Sequence, residues 1–337
     1  MRDRPYRPGM IEEAGRPREI LSKPVAIACR DGLSLHGHLW ESASPDKAGR
    51  VVVNPATGVP ARFYHRYARF LAAHGFEALT YDYRGIGLSR PKTLRGCGYR
   101  WRDWGALDFD AAVRFLEARG NGPLLVVGHS IGGFLPGLAD SGTQVTRMLT
   151  VGAQFAWWGD YARSQRPKLF WKWHLAMPVL TALCGYFPGR RLGWLEDLPA
   201  GVANEWSFRG PRFERSHPRA SRAVVLARMR AFSAPILAVT VSDDELGTLA
   251  AARRTLRYYA GAERTLVHVS PADCGRDAIG HFNLFHDMHA SGFWLDTILW
   301  LRDGINPWPN RRADLEVPIQ FDASTPPSAR ILGKPYY

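Results

Sequence analysis

The chain of 337 residues has only four cysteines, Cys29, Cys97, Cys184 and Cys274, and none of them forms a C-x-x-C pair. That scarcity argues against a zinc site or a small disulfide scaffold, and it suits a reducing cytoplasm. Long apolar runs are missing too. The most hydrophobic segment, residues 169–187, is interrupted by Lys172, His174 and Pro178. A membrane span needs about 20 largely uninterrupted apolar residues, so no stable membrane insertion is expected. Met1 to Lys23 is rich in Arg and Pro and has no apolar stretch of the kind a secretory signal requires. Acidic residues are short, 31 against 44 basic ones, for a formal net charge of +13. Such a balance invites a nucleic-acid or membrane-surface reading. The arginines are spread along the chain, however, and no zinc-finger, RNA-binding or helix-turn-helix signature accompanies them, so solvated surface charge and no nucleic-acid partner are expected. No internal repeat or low-complexity segment divides the chain.

The 46% hydrophobic content is enough for one large α/β domain with an insertion. Residues 1–22, with Pro5, Pro8 and Pro17 among scattered charges, read as a flexible tail. Val25 to Cys29 and Leu33 to Trp40 alternate around Arg30-Asp31-Gly32 as a β-hairpin does. Short apolar strands at Val51 to Val53, Phe76 to Tyr83, Leu124 to Val127 and Arg147 to Val151 then alternate with helical spacing at Pro60 to Ala73 and Trp104 to Ala118. That rhythm predicts a mostly parallel sheet covered on both faces, preceded by an antiparallel pair. It breaks over residues 155–217, where tryptophans, basic residues and prolines crowd together, and an inserted cap of short helices is expected there. It resumes with helix Arg219 to Ala231, strand Ile236 to Val241, helix Thr248 to Tyr259, strand Thr265 to Val269 and helix Leu284 to Leu301. Residues 23–154 and 218–304 thus form the core, and 305–337 an extended tail.

The chemistry centres on Gly128-His129-Ser130-Ile131-Gly132-Gly133, which follows a buried strand and precedes a helix-compatible stretch. A strand, a tight turn and a helix put Ser130 at a strained apex, with glycines where a Cβ would clash. The Ile131 amide would then stand at a helix N-terminus, able to stabilise developing negative charge. A serine hydroxyl is a weak nucleophile and needs a base oriented by a third group. In open α/β sheets such groups gather at the carboxyl ends of strands. Ser242-Asp243-Asp244-Glu245 follows one later strand, and Gly280-His281 lies in the loop after the next. Among 11 histidines, His281 has the placement a base requires. His129 is expected to be packed, and a metal site from His281, His286 and His289 has no carboxylate or Cys partner at a familiar spacing. Asp82 to Ser89 is glycine-rich but lacks a phosphate-binding pattern and reads as a structural turn.

These pieces together resemble the α/β-hydrolase superfamily of serine hydrolases over nearly the whole chain. The matching residues are the Gly128 to Gly133 elbow, Asp82-x-Arg84-Gly85-x-Gly87-x-Ser89, the Asp-bearing strand end and Gly280-His281. Asn54-Pro55-Ala56-Thr57-Gly58-Val59-Pro60 and Tyr81 to Gly87 look like a bacterial group of predicted α/β hydrolases, with Asn54-Pro55 standing where His-Gly is commoner. The resemblance implies an α/β-hydrolase fold and a catalytic Ser130, His281 and Asp244, with Asp243 as the alternative acid and helix capping as the role of whichever does not serve. It also implies a second oxyanion donor beside Ile131 from the loop after Val53. Pro55 has no amide hydrogen, which leaves Ala56 first and Thr57 second.

The implied reaction is hydrolysis of a carboxylic ester or thioester through an acyl-enzyme, without a cofactor or metal. The alternatives are an acyltransferase or peptidase with the same triad, or a non-catalytic ligand-binding protein that keeps the fold. The partner is a small acyl substrate, apolar or aromatic, facing cap residues such as Trp157, Trp158 and Trp171. Arg163, Arg166, Lys168, Lys172, Arg190 and Arg191 are expected to be solvated.

Overall fold

The computed structural model describes residue 20, residues 22–42, residue 44 and residues 47–316. Of the tails expected at residues 1–22 and 305–337, residues 1–19, 21 and 317–337 lie outside the described residues. The hairpin forms as β1 (Ser22–Ala28) and β2 (Ser34–Trp40), antiparallel, with Ala28 paired to Ser34. The valine-rich runs become β3 (Gly49–Asn54), β4 (Phe76–Tyr81), β5 (Leu124–His129) and β6 (Arg147–Val151). An antiparallel two-residue ribbon follows, β7 (Tyr186–Phe187) with β8 (Leu198–Pro199). The main sheet is completed by β9 (Ile236–Val241) and β10 (Arg264–Val269).

The eight-stranded order is β1-β2-β4-β3-β5-β6-β9-β10, parallel from β4 onward. β3, β4, β5 and β9 are buried along their whole length, as expected of strands covered on both faces. Alternate residues feed two cores. Val52, Leu79, Val126 and Met148 join one, and Val51, Val53, Leu125, Val127 and Leu149 join the other. From β3 the chain turns to β4 on one side and later to β5 on the other. The sheet therefore has a topological switch at β3 and β5, and a crevice opens beyond the carboxyl ends of those strands.

Three helical expectations change. The stretch after Ser130 is a series of 3-10 turns, Ser130–Gly133, Leu135–Leu138 and Asp140–Gln144, and no α-helix. Gly132-Gly133 weakens a helix there, and Pro136 removes an amide donor from its interior. The last helix begins at Phe293, beyond Gly292, and continues as a π-helical turn to Asp303. His286 and His289 therefore lie in short turns before it, not on it. The helix expected from Trp104 begins at Trp101 and runs to Glu117 with a π-helical stretch, Trp104–Phe109.

Residues 305–316, expected as the start of an extended tail, dock on the core. Trp308 stacks on Phe293, and Ala313 donates its amide to the Leu266 carbonyl at 2.8 Å. Between β6 and β9 the chain leaves the sheet. Its helical pieces include Arg166–Phe170, Met177–Cys184 and Ala200–Ser207, together with the β7-β8 ribbon. It is tied back to the core loops by Glu196, whose amide donates to Gly58 at 3.0 Å, and by Asp197, paired to Arg90 at 2.7 Å.

Candidate active site

Ser130 sits at the end of β5 with φ +56°, and Ala156 is the other non-glycine residue with positive φ among the described residues. That left-handed conformation costs a non-glycine residue about 1–2 kcal/mol. The turn around it is too tight for side chains. A Cβ at Gly128 would meet the Gly132 carbonyl oxygen and the Gly133 backbone, and one at Gly132 would meet the Asn54 and Pro55 carbonyl oxygens. Asn54, where a histidine is commoner, binds both sides of this contact. Its Nδ2 donates to the Gly132 carbonyl at 3.1 Å, and its Oδ1 accepts from Tyr81 at 2.9 Å.

The later loops bring a buried acid to a buried imidazole. Asp244 Oδ2 accepts from His281 Nδ1 at 2.7 Å, and Asp244 Oδ1 accepts the Leu246 and Gly247 amides at 2.8 and 2.7 Å. Burial alone would raise the Asp244 carboxyl, but the His281 charge and these hydrogen bonds hold it below the ordinary aspartate value. An ionised carboxylate can only accept, so His281 carries a proton on Nδ1, which leaves Nε2 as the nitrogen that accepts in the neutral ring. Asp243 is exposed and its described contact is not with His281: its Oδ2 accepts the Ile279 amide at 2.8 Å. It pins the loop that carries His281 and does not cap the following helix, whose N-cap is Thr248.

Room for the acid–imidazole pair comes from Gly152 (φ +56°), just past β6. A Cβ there would lie 2.8 Å from Asp244 Oδ2 and 3.2 Å from His281 Nδ1. Gly152→Ala is therefore expected to push the pair out of line. Because displacements near 1 Å at a reacting centre cost about 100-fold, kcat on an activated ester should fall by about 10- to 100-fold, with far-UV circular dichroism unchanged.

His129 is packed, as expected, and it also links two parts of the site. Its Nε2 lies 2.8 Å from the His281 carbonyl oxygen, which can only accept, so Nε2 carries the proton. Its Nδ1 then accepts from Tyr64 Oη at 2.7 Å, and the same Oη accepts the Ala56 amide at 2.9 Å. Burial, helped by neighbouring His281, pushes the His129 pKa down to about 3, so the ring stays neutral. The Ala56 amide is thus already committed to Tyr64. Ile131 follows Ser130 in a 3-10 turn of four residues, so any help it gives an oxyanion comes from its own amide and not from a helix dipole.

Ser130 and His281 both line a cavity of about 410 Å³, together with Ala56 and Thr57. Its apolar walls are Trp101, Leu169, Trp173, Trp194, Leu195 and Trp206. The three tryptophans expected to face substrate do not line it. Trp158 and Trp171 are exposed, and Trp157 stacks under Arg254 at 4.2 Å. Trp171 and Trp173 are two residues apart on one helical segment and so point to opposite faces, and it is Trp173 that turns inward. Of the basic residues expected to be solvated, Lys172 lines the cavity with Nζ 4.4 and 4.5 Å from the Trp173 and Trp194 ring centres. Arg190 lines it as well, paired to Glu196 at 2.6 Å. Asp82 to Ser89 is a turn, as expected: Asp82 accepts the Ala61 and Leu88 amides at 2.7 and 2.9 Å.

A residue that carried no signal in the sequence completes the surroundings of Ser130. Gln154 Nε2 donates to Ser130 Oγ at 3.1 Å. No group of three or more His, Cys, Asp and Glu residues among those described is arranged to hold a metal ion. No helix among them is long and apolar enough to cross a membrane.

Comparison with known proteins agrees with this architecture. Monoglyceride lipase of Saccharomyces cerevisiae is 26% identical over 106 residues, covering 31% of this chain and 34% of that protein. The match thus spans about a third of the length of that curated relative. Among solved structures, a soluble variant of monoglyceride lipase from Saccharomyces cerevisiae, in complex with a substrate analog, superposes with a TM-score of 0.58. It has 15% identity and covers 86% of this chain and 96% of that one. An esterase from Pyrococcus furiosus gives a TM-score of 0.52 at 18% identity, covering 86% and 97%. An α/β hydrolase from Penicillium sp. sh18 gives 0.54 at 17% identity, covering 85% and 100%. At these identities the likeness is one of fold. The family model described as serine aminopeptidase, S33, matches residues 45–213, half of the chain, taking in Ser130 and the Asn54 to Gly58 loop and ending before Asp244 and His281. The chain therefore belongs to the serine aminopeptidase S33 family of α/β hydrolases.

Proposed function

We propose that the protein is a serine esterase acting on a small substrate with an apolar acyl or aromatic portion. The observation that carries this reading is the shared cavity: Ser130, at a strained turn, and His281, bonded to Asp244, open into the same apolar space. In this reading Ser130 Oγ attacks the ester carbonyl and its proton passes to His281 Nε2. The imidazolium then protonates the departing alcohol or thiol. Water attacks the acyl-enzyme, again giving a proton to His281, and that proton returns to Oγ as the C–Oγ bond breaks. Asp244 holds the imidazole in the required tautomer and steadies the imidazolium.

The oxyanion would be held by the Ile131 amide and one amide of the Ala56-Thr57 pair. Ala56 must give up its bond to Tyr64 to serve, whereas Thr57 lines the same cavity and has no such competitor among the described contacts. Residues 155–217 act as the cap, with Trp173, Trp194 and Trp206 as the wall against which the substrate packs.

A fluorophosphonate probe is expected to label the wild type covalently and leave Ser130→Ala unlabelled, read by intact-protein mass spectrometry. Equal labelling of both would remove Ser130 as the nucleophile. A panel of p-nitrophenyl esters of rising chain length then reads the reach of the cavity.

A further inference from the structure

Gln154 sits two residues beyond Gly152, buried beside the nucleophile. Its carboxamide orientation is set by its neighbours. The Ala156 amide, which can only donate, points at Oε1, so the NH₂ group must face Ser130. Ala156 holds φ +59° to make that contact, which places backbone strain where it fixes one side chain. The Gln154 main chain is engaged as well, its amide donating to the Ser130 carbonyl at 3.4 Å. Ser130 Oγ therefore accepts a hydrogen bond from a side chain held at both ends, and among the described contacts it makes none with His281.

We infer that Gln154 is a further catalytic residue, a donor to the nucleophilic oxygen that favours the free serine over its acylated form. The inference rests on the serine-hydrolase reading above. A hydroxyl oxygen accepts a hydrogen bond well, and one that carries partial negative charge accepts it better. An ester oxygen accepts poorly. When Oγ attacks and the proton moves to His281, the Gln154 bond must loosen as Oγ becomes an ester oxygen. When water has added to the acyl-enzyme and the C–Oγ bond breaks, electrons return to Oγ, and the same NH₂ group receives them while His281 delivers the proton. The donor therefore retards acylation and assists deacylation. A neutral hydrogen bond of ordinary net strength corresponds to a factor of about 3 to 10 in all, divided between the slower acylation and the faster deacylation.

Two variants test this. Gln154→Met keeps the length and removes the donor, and Gln154→Glu keeps the shape but can only accept. In the full-length protein both, the second at a pH where its carboxyl is ionised, should be labelled by a fluorophosphonate faster than the wild type, by up to about 3- to 10-fold. With p-nitrophenyl butyrate, stopped-flow traces should show a burst approaching one equivalent, followed by slower turnover. A structural role alone would not split acylation from deacylation. Labelling and turnover falling together in a variant whose melting temperature matches the wild type would overturn the inference, and so would unchanged rates in both. Failure of the underlying reading is separately visible, because it requires labelling that survives Ser130→Ala.

Discussion

Asp244→Asn is expected to lower kcat by about 10⁴-fold while leaving the fold in place. Asp244 Oδ1 accepts two backbone amides, from Leu246 and Gly247, and Oδ2 accepts from His281. An asparagine has one oxygen and one NH₂ group. Two amide donors facing one atom force the oxygen to that side, so the NH₂ group must face His281 Nδ1. The imidazole then has to accept at Nδ1 and carry its proton on Nε2, the atom that must take a proton from Ser130. The ring stays in position but in the wrong tautomer. Asp243→Asn, by contrast, leaves the acid–imidazole pair untouched and loosens only the Ile279 contact, so its kcat should stay within about threefold of wild type. Steady-state kinetics on one activated ester, with both variants side by side, distinguishes the two acids. Similar large losses in both would mean that the loop, and not the carboxylate, matters.

Much of this site is legible in the amino-acid sequence. The Gly128 to Gly133 stretch was legible because a tight strand-to-turn junction leaves room for nothing larger than glycine, and that constraint is written in residue type. His281 and an acidic loop before it were legible because each follows an apolar strand, and the fold collects strand ends in one place; the choice between Asp243 and Asp244 came only from the family resemblance. What could not be read was set by distant packing. Tyr64 captures the Ala56 amide across a loop, a contact with no sequence period. Gln154 lies in Gly152-Ala153-Gln154-Phe155, where nothing marks it off from an ordinary polar residue after a strand. The cap tryptophans were legible as a group and not individually. Which of Trp171 and Trp173 turns inward depends on the phase of a helical segment whose neighbours are far away in the chain. The α-helix expected after Ser130 failed for a local reason that was visible, Gly132-Gly133 followed by Pro136, and the 3-10 turns kept the elbow without it.

The Asp82 to Ser89 turn leads to the second large effect, on stability. Arg84 is buried against Asp108, with Nε donating to Oδ1 at 2.6 Å and its backbone amide donating to Oδ2 at 2.8 Å. Its guanidinium also reaches Asp31 at 2.7 Å. Asp108 is fully buried. Burial pushes its carboxyl well above the usual aspartate range, and the Arg84 guanidinium opposes that rise. Removing one partner of such a pair strands the other, at about 3–5 kcal/mol, a large share of the roughly 5–15 kcal/mol by which a domain is stable. Arg84→Met should therefore lower the urea midpoint sharply, and its deficit should depend on pH in a definite direction. Without the guanidinium, Asp108 stays protonated in the folded protein and ionises in the unfolded one. In the wild type the same carboxyl already holds its proton to about 7 with the guanidinium beside it, and losing the guanidinium raises that value further, so the added loss of stability appears as pH rises past about 7. The variant should accordingly lose more at pH 8 than at pH 5 relative to wild type. Arg84→Met combined with Asp108→Asn removes the titrating group, so the added pH dependence should vanish and part of the stability should return. If the single variant instead shows the same deficit at both pH values, the loss is one of packing around Tyr99, whose ring lies under the guanidinium, and not of an uncompensated charge.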